Sequence, residues 1–406
     1  MSKFVGAKLI ELFKRVVKFD AGVQIHQNGI DNAYPDRIER IIDNSPTAKA
    51  GTKLLRKYIV GKGFSGNLND FIVNKEKNIT LKEFLFKVAH SYSRQNGVFI
   101  HVNYNLAGKI ISLDVLPYSH CRKGKKDDAK YVGKIAIYDN WSGENGAIKK
   151  DKIQRIDIYN PLENIITSQV NKANGIDQYK GQVMFYNPEE TDYPLAHIDP
   201  VMNDADSEYR SGNFKNLSLR KGFFGKKIVV TPPMVDGDLK NNSNLDADQL
   251  EEKRLAESER ENFRTSMQSF VGSDNADGML HLEMEFEGDD ISKIMSFIDV
   301  KTDINDKLFE YTEKSAANNI CKSLENIPKI LIENPETSVF GQSGEMLKSA
   351  KLFYQEQTEE NRGGIENKIL KPLMKIFEGF EYPKDGLNII PLIDVEVKST
   401  PDEINK

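Results

Sequence analysis

Long apolar runs are missing from this 406-residue chain: the longest uninterrupted stretches are only a few residues, against the ~20 that a membrane-spanning helix needs. No membrane partner is expected. Cysteine is nearly absent as well. Cys121 and Cys321 stand far apart with no companions, which excludes a disulfide framework or a cysteine zinc site and leaves two reduced structural thiols. The six histidines, at 26, 90, 101, 120, 197 and 281, never fall at metal-ligand spacing. An excess of positive charge is also lacking. Fifty-six Lys and Arg against 61 Asp and Glu give a net charge of -5, so the chain is no high-affinity general binder of nucleic-acid phosphate. Its hydrophobic share of 39% is below the usual ~45–50%. Yet 21 Phe and 15 Tyr are too many for general disorder. The composition describes a soluble, ordered chain with a large polar surface, long enough for two or three structural units. Lys3, Lys8, Glu11, Lys14, Arg15 and Lys18 interrupt the first 18 residues, so no secretory signal is expected and the compartment is cytoplasm-like.

Signatures of enzyme chemistry are equally scarce. No Gly-Lys pair has the glycine five positions upstream that a phosphate-cradling loop requires. Gly341 to Gly344 resembles a nucleophile elbow, but its second glycine comes one position early, and Ser343 reads as a helix cap. Ser273 to Gly278 matches half a calcium loop and then meets Met284 where a bidentate Glu is needed. His120 to Lys126 is a short basic cluster that reads as a solvated turn between strands. No catalytic residue, metal or cofactor is expected.

What is present is a succession of well-marked elements. Leu9, Ile10, Phe13, Val16 and Val17 have helical spacing. Asp36 and Glu39 suggest a capping box. Ser45-Pro46 predicts a helix from about Thr47 to Val60, ended by Gly61 and Gly63. Thr80 and Glu83 form a second capping box, and Leu81, Phe84, Leu85, Val88, Ala89 and Tyr92 give the helix behind it one apolar face. The period then changes to two: Val98 to Tyr104 and Ile111 to Val115 predict a hairpin ending at Pro117. Strands are expected at 131–138, 153–159 and 183–186, making an α+β first half. Beyond it, 200–222 and 246–271 read as long helices, polar nearly all round, flanking a small β insert. A helix of that kind rarely stands without neighbours. A strand over 279–286, a helix from Thr302, helices around 343–361 and 365–378, and a strand within 387–397 complete the order.

This order resembles the portal proteins of tailed bacteriophages, the rings at one vertex of the head through which DNA is packaged and released. The likeness is carried by Ile42 to Thr47 leading to Tyr58 through Phe64; Gln95 to Val102 with Ile111 to Pro117; Asp199 to Asp206 through Asn213 to Phe224; and Asn318 to Pro328 followed by Phe340 to Glu345. It covers most of the chain from about Pro35 to Phe377, and the order of segments, more than any one motif, carries it.

The resemblance implies an elongated α+β subunit with an α/β wing, helical stem, small β clip and short helical crown, assembling into a ring. Residues 1–198 would form the first part of the wing, 199–224 and 245–271 the stem helices, and 225–244 the clip. The wing would resume over 272–340, with a tunnel loop at about 287–301 and a long helix behind it, before a crown region over 341–406. It further implies a non-enzymatic channel in the virion, assembled in the host cytoplasm. The partners would be other copies of itself, twelve in the family, together with duplex DNA, the large terminase subunit, the major capsid and scaffolding proteins, and a head-tail adaptor. Glu251, Glu252, Glu257, Glu261, Asp289 and Asp290 are then candidates for an acidic channel lining, with Lys293 and Lys301 as transient phosphate contacts. Lys226, Lys227, Pro232 and Pro233 would belong to the partner-docking clip. Two other readings stay open: a cytoplasmic metal-dependent nucleic-acid-processing enzyme whose catalytic carboxylates form no recognised motif, and a membrane-peripheral assembly factor using residues 6–19.

Overall fold

The computed structural model describes residues 17–124, 133–144, 146–189, 191–221, 227–231, 246–268, 279–283, 296–299, 306–332 and 344–394. Two compact units are present: residues 1–202 with 318–406, and residues 203–317.

The first unit opens with a short antiparallel pair, β1 (Phe19–Asp20) and β2 (Ile25–His26). Of the N-terminal helix expected over 6–19, residues 6–16 lie outside the described residues and Phe19 belongs to β1. Helices α1 (Tyr34–Asn44) and α2 (Pro46–Val60) follow. The Ser45 hydroxyl accepts the Ala48 N–H at 3.1 Å, so the Ser-Pro start acts as expected. The box read at Asp36 does not form. The helix begins two residues earlier, with Pro35 in its first turn and no side-chain cap, and Glu39 turns to Arg94 and to the Gln95 amide at 2.8 Å instead. A small pair, β3 (Ile72–Asn74) and β4 (Ile79–Thr80), leads into α3 (Leu81–Gln95). Here the Thr80 and Glu83 capping box is complete in both directions. The apolar stripe of α3 is fully buried at Leu81, Phe84, Leu85, Val88 and Ala89.

After Asn96, in a left-handed conformation that ends the helix, come β5 (Val98–Tyr104), β6 (Ile110–Leu116), β7 (Cys121–Lys123), β8 (Lys134–Ile137), β9 (Gln154–Ile158), α4 (Glu163–Lys172) and β10 (Gln182–Tyr186). The six strands form one sheet in the order β6-β5-β10-β9-β8-β7. Only β9 and β10 are parallel, the pair that α4 connects. Phe99, Tyr118, Cys121, Ile135, Ile156, Val183 and Tyr193 pack as one core cluster.

The basic cluster at 120–126 is corrected here. Cys121 to Lys123 are a strand, not a solvated turn, and Arg122 is fully buried. Its guanidinium donates to Asn32 Oδ1 at 2.6 Å, Asn32 O at 2.7 Å, and the Ser119 and Cys121 carbonyls at 2.8 Å. A buried charge is tolerated where neighbouring acceptors satisfy its protons.

The C-terminal residues return to this unit. The C-terminal end of a helix at Asp306–Ser323 approaches α2 so closely that a Cβ on Gly51 would come within 2.5 Å of Leu324. The last helices, Gly344–Gln357 and Glu359–Ile365, run through a π-helical turn at Glu366–Leu370 into Lys371–Lys375. Arg362 is buried and donates to the carbonyls of Tyr58 at 3.3 Å and Gln355 at 3.1 Å. No strand forms at 387–394; a single bridge joins Ile390 to Gly63. Both cysteines are buried thiols outside any disulfide.

The second unit contains α5 (Met202–Lys221) from Asn203 onward, then β11 (Lys227–Thr231), α6 (Ala247–Gln268), β12 (Met279–Glu283), β13 (Ser296–Asp299) and most of α7 (Asp306–Ser323). The helix, insert, helix order therefore has a strand at its centre, as read from the sequence. That strand is central in another sense: β11 pairs with β12 in parallel and with β13 antiparallel. Residues 296–299, placed by the resemblance at the end of the tunnel loop, are thus a strand beside the insert.

Candidate functional site

Of the positions singled out from the sequence, those that are described lie on α6 and β11, and α5 is the other long polar helix of the same unit. In α5 the Asp206 and Arg210 side chains pair at 2.6 Å, one helical turn apart. Toward α7, Glu313 accepts from Ser211 at 2.9 Å and from Lys215 at 2.6 Å. The Lys215 ammonium holds the Glu313 carboxyl below the usual carboxylate range. One carboxylate thus fastens two long helices whose surfaces are otherwise mainly polar. Sequence reading gave no signal for it, because Ser211 and Glu313 are about a hundred residues apart.

Helix α6 has 22 residues, a rod about 33 Å long at 1.5 Å per residue. A reciprocal cap starts it: Gln249 N–H donates to Asp246 Oδ1 at 2.9 Å while Asp246 N–H donates to Gln249 Oε1 at 3.2 Å. Six acids and four bases lie along it. Between Asp246 and Asn262 every residue is exposed except Lys253, Ala256 and Arg260, which are half-buried. Their spacing of three and four marks one seam of the helix. Leu250 and Leu255 are 59% and 56% exposed, so these two apolar side chains of α6 are uncovered.

Glu251, Glu252, Glu257 and Glu261 are all exposed. They do not share a face. Measured around the axis from Glu251, Glu252 stands at about 100°, Glu257 at about 240° and Glu261 at about 280°. A tighter acidic stripe is made by Asp248, Glu252 and Glu259, which fall within about 40° of one another. Glu251 lies 3.9 Å from Arg254. Among the described residues no cation pairs with Glu252, Glu257, Glu259 or Glu261.

The other predicted positions divide simply. Lys227 opens β11, in register with Met279 on one side and Asp299 on the other. Asp289, Asp290, Lys293, Lys301, Lys226, Pro232 and Pro233 lie outside the described residues, as do the half calcium loop at 273–278 and Ser343. Among the described residues no group of acids, histidines or cysteines is placed to hold a metal ion, and no helix is long and apolar enough to cross a membrane.

No family profile and no curated protein matches the chain. Among solved structures it is similar to a chain in the virion of a native gene transfer agent particle, with 12% identity, a TM-score of 0.45, and 81% of this chain and 78% of that one covered. A chain in the neck of the native particle, computed with C12 symmetry, gives 12% identity, a TM-score of 0.47, and coverage of 84% and 82%. An HK97-family phage portal protein from Corynebacterium diphtheriae gives 9% identity, a TM-score of 0.34, and coverage of 76% and 83%. A phage portal protein and particle-neck chains are therefore among the structures that this chain is similar to.

Proposed function

We propose that the chain is the subunit of a portal ring: a channel at one capsid vertex through which DNA is packaged, held and released. The observation that carries this reading is α6, a long helix exposed over almost its whole circumference and set with mixed charge. Packed beside copies of itself around a closed ring, such a helix gains the neighbours that one chain does not supply. The helix, strand, helix order of α5, β11 and α6 supports the same reading, as does the succession of segments that resembles the family.

In this reading α5 and α6 form the stem, β11 belongs to the clip, and the acids of α6 repel the duplex from the channel wall. Weak interaction is what a conduit requires. Each phosphate neutralised by a fixed cation adds affinity through counterion release, which would hold the DNA in place. The subunit does no chemistry; it offers the packaging motor and the tail adaptor a docking ring. Duplex DNA, the large terminase subunit, capsid and scaffolding proteins, and the adaptor are its proposed partners, with the residues around 226–233 as the docking edge and 287–295, ahead of β13, as the constriction.

Native mass spectrometry and electron microscopy test the assembly. Twelve 46.1-kDa copies make a ring of roughly 550 kDa; a strictly monomeric protein at high concentration would reject it. Charge reversal tests the lining, because the geometry separates two acidic sets. Asp248, Glu252 and Glu259 changed to Lys should slow packaging while rings persist, whereas Glu251, Glu257 and Glu261 changed to Lys should affect it less. Equal effects would reject the assignment of the duplex-facing side to Asp248, Glu252 and Glu259.

A further inference from the structure

A concavity of about 270 Å³ in the first unit lies between α4, the paired strands β8 and β9, and the stretch before β10. It belongs to none of the surfaces assigned above. Lys134, Arg155, Lys172 and Lys180 line it, with Asp157 as the lone acid. Asp157 is already taken by Lys134, whose ammonium lies 3.1 Å away, and Arg155 spends one N–H on the Val23 carbonyl at 2.5 Å. Lys172 and Lys180 are exposed, and among the described residues neither meets an acid. The uncompensated charge in this hollow is therefore positive.

The wall adds an independent observation. Gln169 is 6% exposed, and its Oε1 accepts from Tyr179 Oη at 2.7 Å and from Gln182 Nε2 at 2.8 Å. Two donors at one oxygen fix which end of the amide is which. Gln182 is held in turn: its Oε1 accepts from Tyr104 Oη at 2.8 Å and from the Asn160 N–H at 2.9 Å. The amide cannot flip without breaking this chain. Gln169 Nε2 is left buried with no acceptor, and a buried donor without a partner is unfavourable. An oxygen-rich anion entering from the lysine side would supply the missing acceptor.

We propose that this hollow binds a phosphate group, free or as a monoester, with Lys172 and Lys180 supplying charge and Gln169 an N–H. A phosphate brings several strong acceptor oxygens and up to two negative charges, which suits two ammonium groups and an amide donor. Inorganic phosphate and a nucleoside monophosphate distinguish the free ion from the ester, and a short blunt DNA duplex tests the backbone diester.

The experiment is isothermal titration of the full chain with each probe at fixed ionic strength. Saturable binding of inorganic phosphate or of the monophosphate is expected. The exposed double variant Lys172→Glu with Lys180→Glu should keep its melting temperature and weaken that binding at least about tenfold, the worth of one charge-assisted contact. A matched double variant, Lys75→Glu with Lys82→Glu, makes the same charge change at exposed positions outside the hollow and should bind as the parent does. No saturable phosphate binding, equal loss in both double variants, or binding of the duplex alone would overturn the proposal.

Discussion

The two units solve the problem of stability differently. In the first, α2 buries seven residues and α3 nine, and their apolar faces meet one another and the hairpin beside them. In the second, α6 buries none of its described residues, and α5 buries only Ala205 and Ser211 among its own. Removing apolar area from water stabilises by roughly 25 cal/mol per Å². Among the residues whose burial is described, that contribution is concentrated in the first unit, while α5 and α6 show mainly caps and ion pairs. Helices held that way are marginal alone. In the ring proposed above, neighbouring copies would complete the second unit.

The largest expected effect probes this contrast directly. Phe84→Ala, in the buried stripe of α3, should cost about 3–5 kcal/mol in urea unfolding, whereas Leu250→Ala in α6 should change the isolated chain by less than about 0.5 kcal/mol. If assembled rings lost stability on Leu250→Ala, the covering of α6 would be assigned to neighbouring copies. A comparable loss in the isolated chain would break the contrast.

Next comes Arg122→Met, which keeps much of the volume and takes the guanidinium donor from the Asn32, Ser119 and Cys121 carbonyls, while Asn32 Oδ1 keeps the Asn28 N–H at 3.0 Å. A loss of about 3 kcal/mol is expected, read from the same unfolding curves. A neutral result would mean that the polar cage around Arg122 contributes little to the first unit.

The third prediction concerns pH. Burial lowers the His197 pKa from 6.5 to about 4. Between those values the unfolded chain binds a proton that the folded one excludes, so stability falls as pH drops from about 6.5 toward 4. Urea midpoints across this range should decline with a component that His197→Phe removes. An unchanged slope in that variant would assign the decline to other groups.

The smallest effect compares caps. Ser45→Ala should cost about 1 kcal/mol of global stability, since α2 folds with its unit. Asp246→Ala removes an equivalent cap from α6 and should appear in circular dichroism as local helix loss with little change in the global transition. Equal global costs would show that α6 unfolds together with the core.

Much of this fold was legible in the sequence where the determinants were local. Ser45 with Pro46, the reciprocal Thr80 and Glu83, and the alternation of Val98 to Tyr104 act within a few residues, and each element formed where its chemistry required. The failures were non-local. Glu39 was claimed by Arg94 and Gln95, more than fifty positions away, and so did not close a cap. Arg122 reads as surface charge until Asn32, ninety residues earlier, supplies acceptors at two of its nitrogens. The strand expected at 387–397 shows only a bridge at Ile390 over its described residues, 387–394. For the candidate surface, acidity and helical form were readable in α6, but its division into stripes needed the exact helix limits, and the anchoring of α5 through Glu313 left no local trace.

The central place of β11 has an evolutionary consequence. Because β12 and β13 both read its register, inserting or deleting one residue within 227–231 would turn every following side chain to the opposite face against two partners at once. This strand should therefore diverge by substitution, and related chains that differ in length here should place the difference outside it.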